Sequence, residues 1–268
     1  MMDESLYYSF KMTISPSRKA MGVAAGTCGE RILCSLLEEK AHVRVIMGSA
    51  PSQDEVLAYL RNSKKIDWTR IEVFHMDEYI GISPDDKAAF SNYLSRTLLD
   101  HVPVGAFHRI VADTREPEEI CKEYGALLNE APIDVVFLGI GENGHIAFND
   151  PAMADLRDPL AMKVVQLDNA CRMQQVHDGC FPTIDAVPKQ AITLTVPTLL
   201  QGAHLVCTVP TSRKNNACLR LVMGSISAAC PATAMRIHPD ANIFMDNESG
   251  KGIPEFETAE TCIGKKDK

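Results

Sequence analysis

Short apolar runs, often β-branched, alternate with longer stretches of helical periodicity along most of the chain. His42–Gly48, Arg70–Met76, His108–Ala112, Ile133–Gly139, Ala191–Val196, His204–Val209 and Asn242–Met245 read as strands. Each is short, apolar and bounded by turn-forming residues. Between them, Met21–Lys40 carries Ile32, Leu33, Leu36 and Leu37 at the spacing of a helix that buries one face. Further helices are predicted after the capping-box pair Ser52 and Glu55, over Lys87–His101, from Pro117 to Asn129, and over Thr211–Met223.

Near-continuous apolar strands separated by helices are the pattern of a parallel sheet covered on both faces. The expected fold is α/β: a doubly wound, mostly parallel, Rossmann-like sheet with helices on both faces. Right-handed crossovers then bring the strand-to-helix loops to one edge. Residues 1–20 read as an N-terminal arm, and residues 247–268, rich in Gly, Pro, Glu and Lys, as a tail without regular structure. No repeat or linker breaks the pattern, so the 268 residues are read as one domain.

A net charge of −8 argues against a general nucleic-acid or anionic-membrane surface. It leaves room for a small anionic ligand, which needs only a few N–H groups and one or two cations. No apolar run reaches the ~18–20 residues of a membrane span. The first twenty residues lack the apolar core of a secretory leader, so a cytoplasmic location is expected. The nine cysteines are scattered, odd in number and free of C-x-x-C, which predicts reduced thiols. His75, Cys171, His177 and Cys180 show no recurring ligand spacing, and no metal is expected.

Four strand-end segments converge on the predicted loop edge. In Ser49–Gln53 (SAPSQ), serine hydroxyls and helix-start N–H groups suit a phosphate, although Ser52 serves equally well as a helix cap. In FHMDEYIG, consecutive residues leaving a strand point to different sides. One of Asp77 and Glu78 can therefore face the cleft as a candidate base at carbon, while its neighbour does something else; the segment taken alone favours a solvated turn, ordinary for D-E before a glycine. In FLGIGENGHIAFNDP, Gly139, Gly141 and Gly144 break a strand and present Asn143, His145 and Asp150 together. There His145 is a candidate acid/base, oriented by Asp150 or Asn143. In Thr211–Lys214 (TSRK), hydroxyls and cations stand at a helix start, as an anion site or simply as a solvated one.

FHMDEYIG and LGIGENGHIAFNDP together resemble the two signature segments of the glucosamine-6-phosphate deaminase/isomerase family, which belongs with the 6-phosphogluconolactonases. VPKQAITLTVPTLLQGAHLVCTVPTSRK extends the likeness, which covers roughly residues 40–245 in the same order. The resemblance implies conversion of glucosamine 6-phosphate and water to fructose 6-phosphate and ammonia, with no metal or organic cofactor. It implies that His145 assists ring opening, with Asn143 and Asp150 beside it, and that Asp77 carries the C2 proton to C1. Ser49, Ala50, Ser52, Gln53, Glu78, Gly141, Gly144, Arg172 and Lys214 would contact the substrate. The implied partner is a small sugar phosphate, and a homo-oligomer is the common expectation for such enzymes.

This chain departs from the family pattern in four places. The phosphate loop has no glycine after Gly48, and Asn143 stands where many members have Asp. Asp150 replaces a glutamate, which adds about 1 Å to its reach for His145, enough to lose a direct hydrogen bond. The lid segment Cys171–Phe181 keeps Arg172, while its second basic position falls near His177. Two other readings accompany the deaminase: a 6-phosphogluconolactonase-type hydrolase and a non-catalytic sugar-phosphate binder. In the hydrolase His145 would activate water, and Asp77 in an intact MDEYIG segment weighs against it; Asp77 and His145 together weigh against a mere binder.

Overall fold

The computed structural model describes residues 10–112 and 115–254. In chain order these form β1 (Lys11–Ser15), α1 (Arg18–Glu39), β2 (Val43–Met47), α2 (Asp54–Asn62), β3 (Ile71–His75), β4 (Asp77–Tyr79), α3 (Phe90–Thr97), β5 (Ala106–His108) and α4 (Pro117–Leu128). There follow β6 (Val135–Leu138), β7 (Met162–Gln166), α5 (Asn169–His177), β8 (Gln190–Leu194), α6 (Val196–Leu200), β9 (His204–Val209), α7 (Asn215–Met223) and β10 (Ala241–Asp246).

Seven parallel strands make the central sheet in the order β1-β10-β9-β6-β2-β3-β5. From β2 the chain winds outward through β3 to β5, then returns to β6 and winds the other way through β9 and β10. The reversal leaves a crevice between the carboxyl ends of β2 and β6, where doubly wound sheets take their ligands. One face buries Ile32, Leu33 and Leu36 of α1 with Val56, Leu57 and Leu60 of α2. The other buries Ile120 and Tyr124 of α4 with Cys218 and Leu221 of α7. Three glycines of α1 allow close packing there: a Cβ on Gly22, Gly26 or Gly29 would lie within 2.1 Å of Glu55, 2.4 Å of Tyr59 or 2.6 Å of Phe137, respectively. α1 is long and apolar enough to cross a membrane, but its apolar side is this packed inner face.

Several expectations change. The segment read as an arm contains β1, which pairs in parallel with β10, and the start of α1, capped by the Ser17 side chain. Ser52 does not cap α2: a short 3-10 turn over Pro51–Gln53 intervenes, and the N-cap is Gln53 without a side-chain bond. The strand expected at His108–Ala112 ends at His108. Two residues on, Ile110 N donates to His75 Nε2 at 2.7 Å instead of to a neighbouring strand.

The larger correction concerns Ala191–Val196. It becomes β8, outside the parallel sheet, in a three-stranded antiparallel sheet β4-β8-β7. Asp77 lies opposite Thr193, and Met162 opposite Leu194. This small sheet carries Asp77 to the crevice, and it buries Tyr79 with Phe90, Phe148 and Val165. The described part of the tail, residues 247–254, is turn and irregular structure, with Ser249 buried against β9 and β10.

Candidate active site

A cleft opens at the crevice, lined by Gly48–Ala50, Ser52 and Gln53 after β2, and by Gly139–Gly141 and His145 after β6. Met76 and Asp77 come from the β3–β4 junction, Phe90 from α3, Ala147 and Phe148 from the glycine loop, and Gln175 from α5. Tilted ring contacts join Tyr79, Phe90 and Phe148 at centroid distances of 4.8–5.6 Å, giving the cleft an apolar wall beside Asp77.

Asp77 is buried, and no side-chain hydrogen bond reaches its carboxylate among the described residues. Burial, and then the adjacent Glu78, push its pKa well above the ordinary carboxylate range. Glu78 turns the other way. Its carboxylate accepts from the backbone N–H groups of Tyr79, Phe90 and Ser91, each at 3.1 Å, and so holds the first turn of α3. Burial outweighs these bonds and raises its pKa to about 7. Glu78 is thus placed on the helix start and not on the cleft.

The loop after β6 folds tightly around the imidazole. Gly144 N donates to Gly141 O and Gly141 N to His145 O. Gly144 has φ +91°, and a Cβ there would meet Cys230 Sγ at 2.4 Å, so this glycine shapes the loop. A Cβ on Gly141 would lie 2.1 Å from the His145 ring. His145 Nδ1 is 2.9 Å from Asp150 Oδ1 and 2.8 Å from Asn143 Oδ1, and Asn143 Nδ2 donates to Asp150 Oδ1 at 2.8 Å. The shorter acid therefore keeps its direct contact with His145, against expectation, because the tight turn brings the backbone closer. Burial works to raise the Asp150 pKa, but contacts from His145, Asn143 and Cys171 prevail and hold it below the ordinary value. With Nδ1 engaged, Nε2 of His145 is left for the cleft.

The loop after β2 presents Ser49 Oγ buried and without a partner among the described residues. Ser52 Oγ points toward the glycine strand end, where a Cβ on Gly139 would meet it at 2.6 Å. Gln53 is structural: its Nε2 donates to Leu138 O and Thr208 Oγ1, tying β2 to β6 and β9. Ala50 lines the cleft and lends its carbonyl to the Tyr93 hydroxyl. Lys214, in the turn after β9, is buried, its side chain makes no hydrogen bond or ion pair with the described residues, and desolvation lowers its pKa. Arg172 is not brought to the cleft. Its guanidinium donates to Ile184 O and Val187 O and fastens α5 to the following turn.

Phe90, Phe148 and Gln175 went unrecognised in the sequence. The two rings read as ordinary core residues. Gln175 is a buried polar residue on a helix, with no side-chain hydrogen bond among the described residues, and only its position over the cleft singles it out. The glycine loop and the segment after β9 are bound to α5 through Gln174 Oε1, which accepts from Glu142 N, and through Arg213, which pairs with Glu142 and Asp178. Among the described residues, His145, Asp150 and Cys171 also bring metal-ligating atoms within 4.8 Å of one another.

Fold and cleft together define a doubly wound α/β protein with acid–base groups at its switch point. The chain matches the model of the glucosamine-6-phosphate isomerases/6-phosphogluconolactonase family over residues 23–244, and it belongs to that family. A glucosamine-6-phosphate deaminase of Bacillus thuringiensis (strain Al Hakam) is 29% identical over 221 residues, 82% of each chain. Among solved structures, a monomeric glucosamine-6-phosphate deaminase superposes with a TM-score of 0.81 at 24% identity, covering 90% of this chain and 98% of that one. A 6-phosphogluconolactonase from Thermotoga maritima gives 0.71 at 18% identity, covering 88% and 99%. The protein is thus an enzyme of the sugar-phosphate isomerase/hydrolase family.

Proposed function

We propose that the enzyme converts glucosamine 6-phosphate and water to fructose 6-phosphate and ammonia. The observation that carries this reading is Asp77: a buried carboxylate on the cleft, of raised pKa and without a side-chain hydrogen bond among the described residues, which suits proton removal from carbon. Ester hydrolysis has no need of such a base.

His145, its Nδ1–H held by Asp150, offers Nε2 to move a proton from the anomeric hydroxyl to the ring oxygen as the sugar opens. Asp77 then takes the C2 proton, giving an enolamine, and returns it to C1. The resulting C2 iminium adds water and releases ammonia. One base serves two adjacent carbons, so the transfer stays intramolecular once the phosphate is anchored. Ser49, Ser52 and Lys214 are proposed to hold that phosphate, and Gln175 a sugar hydroxyl. Arg172 supports α5.

A coupled assay for ammonia and fructose 6-phosphate tests the reading, together with deuterium uptake at C1 in D2O. Ammonia release with solvent-derived or C2-derived hydrogen at C1 is expected. Hydrolysis of 6-phosphogluconolactone without ammonia release from the amino sugar would instead make the enzyme a lactonase.

A further inference from the structure

Cys171 lies in the first turn of α5, where Asp168 caps the helix by accepting from Cys171 N at 2.7 Å. That bond fixes the turn and brings the thiol beside the carboxylate that orients His145. The Cys171 sulfur, a carboxylate oxygen of Asp150 and a ring nitrogen of His145 all lie within 4.8 Å of one another. Asp150 is 0% exposed, and its carboxylate is met by the Cys171 thiol as well as by His145 and Asn143. A fully buried carboxylate that meets a thiol on one side and an imidazole on the other brings together three ligand types of a thiophilic cation.

We infer that His145, Asp150 and Cys171 form a site for one thiophilic divalent cation of the zinc type, and that its binding arrests the enzyme. Zinc takes nitrogen, oxygen and sulfur at about 2.0–2.3 Å, which puts the donor atoms of a tetrahedral site roughly 3.3–3.6 Å apart. His145 Nδ1 and Asp150 Oδ1, at 2.9 Å, need open only slightly. The sulfur closes by no more than about 1.5 Å. Asn143 Oδ1, 2.8 Å from the same ring nitrogen, stands ready as a further oxygen donor. The sulfur and nitrogen donors select against magnesium and calcium, which prefer all-oxygen sites. Coordination releases the thiol proton to solvent and removes His145 and Asp150 from proton transfer. The arrest rests on the acid–base reading above; the binding does not.

Chelator-treated, reduced enzyme is titrated with Co2+ and followed by absorbance, then back-titrated with Zn2+. The expected result is a thiolate charge-transfer band and four-coordinate visible bands that saturate at about one equivalent and are displaced by zinc. Both Cys171→Ala and Cys171→Ser lose the charge-transfer band, and affinity falls roughly tenfold or more. No band, or a band that persists in both variants, overturns the site. Each protein's rate is also compared with and without Zn2+. Inhibition of the wild type at the same equivalence, reversed by chelator and lost in the Cys171 variants, is expected. Binding without inhibition would overturn the arrest while leaving the site, and absence of turnover altogether would bear only on the proposed reaction.

Discussion

Asp77 comes from a strand of the small antiparallel sheet and Asp150 from the end of the glycine loop, and the protein treats the two carboxylates in opposite ways. Asp77 sits against an aromatic wall with no donor among the described residues, and its pKa rises. Asp150 is buried at least as deeply, yet it is met by His145 and Asn143, and its pKa falls. Depth does not separate them; partners do. A carboxylate without partners is costly to ionise and ready to accept a proton. A partnered one is fixed in place and serves its neighbour.

The largest test of this contrast is Asp77→Asn. If Asp77 is the base at carbon, turnover falls by about 10³-fold or more while sugar-phosphate binding persists. The substitution should also stabilise the protein. The folded Asp77 titrates well above its unfolded value, so the native state loses stability from about pH 4 upward, until the folded pKa is passed. The Asn variant should therefore match the wild type in Tm near pH 4 and exceed it increasingly toward neutral pH. Wild-type activity should fall as pH drops through the raised pKa, with its acidic limb above the ordinary carboxylate range. A variant that is inactive but no more stable would break the contrast.

Asp150→Asn should act in the reverse sense. Turnover falls by about 10²-fold, because His145 loses the acceptor that fixes its Nδ1–H. Stability drops by about 1–3 kcal/mol, because a buried, partnered group is disturbed. The lowered folded pKa means that this contribution is present above the unfolded value near pH 4 and is lost as pH falls through the folded one. Thermal melts of both Asn variants across the same pH series would show differences of opposite sign.

The contrast was only half legible in the sequence. The D-E pair leaving a strand allowed one acid to face the cleft, and the resemblance put Glu78 on the substrate as well; in the structure Asp77 lines the cleft while Glu78 holds the start of α3. The glycine pattern located the loop around His145. What stayed hidden depended on distant chain. The sheet that carries Asp77 forms only when β4 and β7 pair with β8, and a strand as short and acidic as Asp77–Tyr79 resembles a turn. The reach of Asp150 was misjudged from side-chain length alone, because the turn that compensates is a property of the backbone. Arg172 looked like a ligand for substrate until the carbonyls that occupy it were in view.

Gly141→Ala probes the partnered side of the contrast without touching a charge. The added Cβ would fall 2.1–2.3 Å from the atoms of the His145 ring, so the imidazole must move off Asp150. A misplacement of about 1 Å costs up to about 10²-fold in rate, and a loss of 10- to 100-fold in kcat with little change in KM is expected. Wild-type kcat in this variant would show that the His145–Asp150 geometry does not govern the chemistry.

Ser49→Ala asks whether the rule extends from charged to neutral groups. Among the described residues Ser49 Oγ is buried on the cleft without a partner, as Asp77 is without a donor. In the free enzyme the hydroxyl contributes nothing that methyl does not, and removing an unsatisfied buried group is neutral or mildly stabilising. In the complex it would donate to the phosphate, a bond of about 0.5–1.5 kcal/mol, so KM should rise about 2- to 10-fold with kcat unchanged. The Tm of the free variant should equal or exceed that of the wild type, and the upward shift on adding sugar phosphate should shrink. If instead the free variant melts lower and KM holds, the hydroxyl has a partner inside the protein, and absence of a partner ceases to mark the groups kept for substrate.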